Sequence, residues 1–220
     1  AAVFQIVFST VIYFIGANEL LPSMFDTRGI GEFASDGVQH LREITSLVES
    51  IRNHEVREYV VSTSSFHLKL YAFSFLLLEP LFGFTTLSAE IINLICYISI
   101  LWLVNDIGKQ LFNPEVGLYS MWGIALWPSF VLYTTQLYKT PLFILMLLIL
   151  IFVFARLLLG YQHRILLIPY FVIALIALTI LWLIRYEWWL MFIGIVSIGV
   201  ICLVVNMVKF RHQLFGNSII

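Results

Sequence analysis

A chain of 220 residues is long enough for one or two soluble domains, but here 61% of the residues are hydrophobic and only 11% are charged. Soluble domains carry roughly 25% charged residues to keep a wetted surface, so a water-soluble fold is excluded. The net charge of −1 comes with no basic run, so nucleic acid is not an expected partner.

The apolar residues fall in blocks of about twenty, the length that crosses a bilayer as a helix. This predicts an all-α, multi-pass membrane protein built as one transmembrane module over residues 1–220. The first span is residues 1–21, "AAVFQIVFSTVIYFIGANELL". It opens inside an apolar run with no recognisable signal peptide, and the chain is expected to be a portion of something longer. Pro22 and the polar stretch "DTRGIGEFASDG" end the span.

From Asp36 to Arg52 the pattern changes. Val38, Leu41, Ile44, Val48 and Ile51 recur every three or four residues, which is one stripe of an amphipathic helix. Gln39, Arg42, Glu43, Glu49 and Arg52 fall on its other face, and His40 reads as a polar-face residue as well. Such a helix is expected to lie in the membrane interface. Ser35 or Asp36 would cap its start, with Gln39 in capping-box register.

A second helix is expected over residues 66–82, "FHLKLYAFSFLLLEPLF". It is barely long enough to cross, and it carries His67, Lys69, Glu79 and Pro80. Five further spans follow at about 87–104, 117–136, 141–159, 165–184 and 187–208, with a tail at 209–220. Cys96 and Cys202 lie inside apolar blocks, where a thiol behaves as a small hydrophobe, so no disulfide framework is expected.

Positive residues gather in short cytoplasmic loops, while long loops escape the rule. If residues 66–82 do not cross, Lys109, Arg156, Arg164, Lys209 and Arg211 share one side. The long 22–86 segment, Lys139 and Arg185 then face the other. If residues 66–82 do cross, the 22–65 loop joins the basic majority. Charge alone leaves both topologies open.

The order of these features resembles a known family. A first span is followed by an acid opening an amphipathic helix ("SDGVQHLREI") and by a run ending "PLFGFTTLSAEIIN". Then come "KQLFNPEVGLYSMWGIALWPSFVLYTTQLYKTPLFILMLLI" and "ALTILWLIRYEWW". This is similar to the GT-C glycosyltransferases, which take sugar from a polyprenyl-phosphate donor and include protein O-mannosyltransferases and lipid A aminoarabinose transferases. The resemblance covers the front half of such an enzyme. It implies two juxtamembrane helices in the first outward loop, at 36–52 and 66–82, and therefore six crossings with both ends cytoplasmic. It also implies a lipid-linked sugar donor, a sugar acceptor of unknown identity, the bilayer itself, and either further membrane subunits or a C-terminal half. The expected location is a bacterial or archaeal plasma membrane.

By this resemblance Asp36 occupies the place of the catalytic base that takes a proton from the acceptor as it attacks the sugar. Its ordinary reading is a helix N-cap. Lys139, in "QLYKTP", and Arg185, in "WLIRYEWW", would hold the donor phosphate. Their ordinary readings are a snorkelling lysine and a pair with Glu187 inside an aromatic belt. Guanidinium suits phosphate because it donates two parallel hydrogen bonds. His67 and Lys69 would face the same phosphate, or would simply be the polar start of an interfacial helix. Gly37 stands where many relatives carry a second acid, which argues against a paired-acid metal site; no cofactor is expected, a divalent metal being possible but not indicated. Thr140 stands where relatives often have an acid before the proline, which weighs against an active enzyme. No His/Cys spacing suggests zinc. The alternative to an enzyme is a non-catalytic relative of the same fold, binding lipid or scaffolding a membrane complex.

Overall fold

The computed structural model describes residues 2–31, 36–62, 64–158, 167–185, 190, 193–194 and 197–198. The chain divides into two compact units, residues 1–145 and 146–220. The described residues are organised as α1 (Ala2–Ala17), α2 (Asp36–Arg52), α3 (Val56–Val61) and α4 (Phe66–Phe82). A short 3-10 turn (Thr86–Ala89) leads into α5 (Glu90–Leu111), α6 (Pro114–Ala125), α7 (Pro128–Thr134), α8 (Thr140–Leu158) and α9 (Leu167–Ile184). The class is all-α, and the pairing of Phe25 with Gly31 is an isolated bridge rather than a strand.

Among the described residues two helices are long and apolar enough to cross a membrane, Thr86–Leu111 and Thr140–Leu157. A third candidate is the pair α6 and α7, bent by 66° at their junction. The apolar helices Ala2–Ala17 and Ile168–Ile184 are shorter. The chain is thus built for a membrane. The expected span at 187–208 lies almost wholly outside the described residues.

The expected straight span at 117–136 is instead broken. Asn113 caps the start of α6, its side chain accepting from the Val116 N–H at 2.8 Å, with Pro114 at the first helical position. α6 then stops at Ala125 because Trp127, which precedes Pro128, is extended (φ −70°, ψ 113°). A residue before proline is pushed out of the helical region by the ring. Tyr97 of α5 receives the exposed end, its hydroxyl donating to the Ala125 carbonyl at 3.0 Å. It also stacks on Phe130 at 5.8 Å. α5 and α6 form a close hairpin at Gly108 and Gly117, where a Cβ on Gly108 would stand 2.7 Å from the Gly117 Cα.

α2 and α4 coincide with the two stretches patterned as helices. α2 ends where His54 turns into the left-handed region (φ 61°). α4 ends at Gly83 (φ 67°), whose N–H donates to the Glu79 carbonyl at 2.7 Å. The apolar stripe of α2 does not face lipid. Leu41, Ile44, Leu47 and Val48 are buried against Leu68, Tyr71, Ala72 and Phe75 of α4, with Ile30 and Leu137 closing the cluster. Each fully buried side chain of this kind contributes about 1.5–3 kcal/mol. Arg52 and Glu79 pair across the far ends of the two helices. The amphipathic pattern is therefore satisfied by protein, and α4 is the surface that satisfies it.

Candidate functional site

The site is built on an irregular segment, residues 135–139, between α7 and α8. Buried irregular backbone must find its hydrogen bonds elsewhere. Here the segment's carbonyls are answered by side chains of α2 and α4, and its own Gln136 side chain answers the backbone of the loop after α1. Asp26 organises that loop: its Oδ1 accepts from the N–H groups of Arg28 and Ile30, both at 2.9 Å. Its other oxygen pairs with the Arg28 guanidinium at 2.7 Å. The turn so formed presents Gly29 and Gly31 to Gln136. The Gly31 N–H donates to Gln136 Oε1 at 2.7 Å, and Gln136 Nε2 donates to the Gly29 carbonyl at 3.3 Å. Gln136 is 1% exposed, so neither backbone group has water as a substitute.

The same segment holds α2 and α4. His40 Nδ1 donates to the Leu137 carbonyl at 2.9 Å. Tyr71 of α4 donates its hydroxyl to Asn93 Oδ1 at 2.7 Å, with the carbonyls of Gln136 and Tyr138 at 3.3 and 3.4 Å. The first turn of α2 approaches so closely that a Cβ on Gly37 would lie 2.6 Å from the Gly31 carbonyl oxygen and 3.7 Å from the Tyr138 hydroxyl. Glycine is required there by contact, and no larger residue fits beside Asp36.

Asp36 is the first residue of α2, so its backbone lies at this junction. Its side chain is outside the described residues. His67 of α4 is 2% exposed, and its ring meets that of His40 edge to face at 5.1 Å between centroids. Neither nitrogen of His67 has a hydrogen-bond partner among the described residues. Burial, then His40, then Lys139 push its imidazole down to about 3 from an ordinary 6.5. Lys139 is half-buried and close enough for its charge to be felt at His67. The α2 N-terminus, Lys139 and two imidazoles thus lie in one cluster, whose ammonium and N–H groups suit an anion with hydrogen-bond acceptors.

Lys69 is placed elsewhere. Two residues beyond His67, it projects from a different face of α4. Its Nζ donates to the carbonyls of Val60 and Ser62, each at 3.0 Å, and lies 6.0 Å from the centre of the Tyr59 ring. Tyr59 in turn donates to the Lys69 carbonyl at 3.0 Å. This side chain ties the end of α3 to α4. Arg185 closes α9 in the second unit, its N–H donating to the Leu181 carbonyl at 3.0 Å. The pairing of Arg185 with Glu187 falls outside the described residues. Among the described residues no three His, Cys, Asp or Glu side chains are placed to hold a metal ion.

Sequence reasoning assigned His40 to the solvated face and assigned Gln136 nothing. A usable signal existed for the first: His40 follows Asp36 by four residues, one helical turn along the same face. Gln136 carried no such signal, because its partners lie about a hundred residues away in the chain.

The neutrality of His67 has a consequence for stability. In the unfolded chain it takes a proton near pH 6.5, whereas in the fold it refuses one until about pH 3. Stability is therefore complete above 6.5 and falls by about 1.4 kcal/mol for each pH unit lowered through that window. The thermal midpoint in uncharged micelles should drop between pH 6.5 and 4. In His67→Phe the drop should be shallower; parallel pH profiles for the two proteins would show that His67 is not held neutral.

Compared with known proteins, the chain matches no family model, no curated protein and no solved structure.

Proposed function

We propose that the chain is a membrane glycosyltransferase of the GT-C type, or the membrane half of one, moving a hexose or pentose from a polyprenyl-phosphate donor to an acceptor on the outer face. One observation carries this reading. The α2 N-terminus that bears Asp36 lies against the segment that bears Lys139, beside buried His67. Asp36 takes the acceptor's proton as the acceptor attacks C1 of the sugar. The bond from C1 to the phosphate oxygen breaks, and its electron pair leaves with the lipid phosphate. Lys139 and His67 receive that growing negative charge. Electrostatic stabilisation of this kind is the largest catalytic contribution in many enzymes, because fixed donors in a dry site need no reorganisation.

In this reading the crossings among the described residues are α1, α5, the broken pair α6 and α7, α8 and α9, and the sixth expected span, 187–208, lies almost wholly outside them. Residues 22–86, Lys139 and Arg185 then share the outer side of a bacterial or archaeal plasma membrane. Further subunits or a C-terminal half would complete the acceptor site.

A second reading, a non-catalytic lipid-binding or scaffolding relative, draws support from Gly37. Its contact with Gly31 leaves no room for a second acid next to Asp36. The two readings separate in one assay. The protein is placed in nanodiscs with a polyprenyl-phosphate donor labelled in the sugar, together with an extract of acceptor lipids and glycans. Transfer of label from the polyprenyl lipid to acceptor is the expected result. Donor bound tightly with its label retained would favour the subunit.

A further inference from the structure

We propose that anion capture at this site takes up one proton, which is held by the His40–His67 pair. The proposal rests on the reading that the cluster receives a phosphate group, and it adds how that group is neutralised.

Three features of the cluster lead to it. His67 is 2% exposed, and neither ring nitrogen has a partner among the described residues. A neutral imidazole always carries one N–H and one lone pair, so a buried ring of this kind leaves a donor unanswered. His40 spends its Nδ1–H on the Leu137 carbonyl, so its Nε2 carries the ring's lone pair. The two rings are in edge-to-face contact 5.1 Å apart, so a proton on either one is felt by both.

Among the described residues, Lys139 of the 135–139 segment acts on His67, and Tyr71 lies one turn along α4 from it. Tyr71 is kept neutral, since burial above all raises its hydroxyl well above 10. On α2, Glu43 is engaged by Gln39 at 3.2 Å on the outer side. Asp36 opens the same helix. Without an anion, burial above all, then His40 and Lys139, keeps protons off His67. A nearby negative charge acts in the opposite direction. A negative charge in van der Waals contact favours an imidazolium, and a dianion favours it more strongly.

The coupling matches the chemistry at the proposed centre. A polyprenyl-phosphate sugar is a phosphodiester with one negative charge. Cleavage at C1 turns it into a phosphate monoester that can carry two. A proton taken from solvent onto the imidazole pair offsets the added charge, and it returns to solvent when the lipid phosphate leaves.

The test uses sulfate, which binds no proton itself between pH 6 and 8. The full chain in phosphatidylcholine nanodiscs is titrated with sodium sulfate at constant ionic strength, in two buffers of different ionisation enthalpy. The calorimetric heats should differ by the equivalent of about one proton per sulfate at pH 7, and affinity should rise about tenfold per pH unit lowered. His67→Asn should bind sulfate with little proton uptake and a flatter pH profile. Lys139→Met should bind more weakly yet keep the uptake. Sulfate bound by the wild-type protein without proton exchange overturns the proposal and leaves the anion site standing. Absence of sulfate binding overturns both. Proton-coupled binding with no sugar transfer removes the enzymatic reading alone.

Discussion

Asp36→Asn should fold normally and lower sugar transfer by about 10²–10⁴-fold, the usual contribution of a positioned general base. The substitution is isosteric, and asparagine suits the start of a helix as well as aspartate does, so α2 keeps its N-terminal hydrogen bonding. What disappears is the capacity to accept the acceptor's proton. The two ordinary explanations for an acid here, a cap and a favourable charge at the helix dipole, predict something different. They allow a stability loss of about 0.3–1 kcal/mol and no loss of turnover by folded protein. Melting and transfer are therefore measured on the same preparation. Unchanged turnover with an unchanged melt would remove Asp36 from the chemistry and leave it as a helix start.

Gln136→Leu should be among the most damaging single changes in the first unit, costing about 2–6 kcal/mol. The side chain satisfies two backbone groups of the Gly29–Gly31 turn, one as acceptor and one as donor. Leucine is of similar size, so the loss is not a cavity. It is two buried polar groups left without partners, each worth about 1–3 kcal/mol. Gln136→Glu should fall between, because a carboxylate still accepts from the Gly31 N–H but cannot donate to the Gly29 carbonyl. Thr135→Val is the neighbouring control. Its hydroxyl donates only locally, to the Leu132 carbonyl at 2.9 Å, and its removal should cost far less. If Gln136→Leu melts with the control, the link between the loop and the 135–139 segment contributes little to the fold. The unmodified protein would then hold its site by helix packing alone.

Composition and the spacing of apolar residues were enough to determine the class. They gave an all-helical chain made for a membrane, with α2 where a three-and-four rhythm placed it and α4 on the apolar run that follows. The reason is that helix periodicity is local: a stripe such as Leu41, Ile44 and Val48 marks one face whatever the rest of the chain does. The pattern could not say what would cover that face. Lipid and another helix are equally apolar, and only the approach of Leu68, Ala72 and Phe75 decided for protein. Pro128 was visible in the sequence, yet whether it would kink a span or break it depended on Tyr97 being in place to receive the freed Ala125 carbonyl.

The site follows the same division. Asp36, His67 and Lys139 stood out as polar residues in an apolar chain, and tertiary structure brought the α2 start, His67 and Lys139 together. Lys69 had the same signal, and the fold turned it to the carbonyls of Val60 and Ser62. His40 and Gln136 acquired their places only through contacts with residues about a hundred positions distant. A residue's chemistry is carried in its side chain, but which groups it answers depends on chain closures that no local pattern encodes.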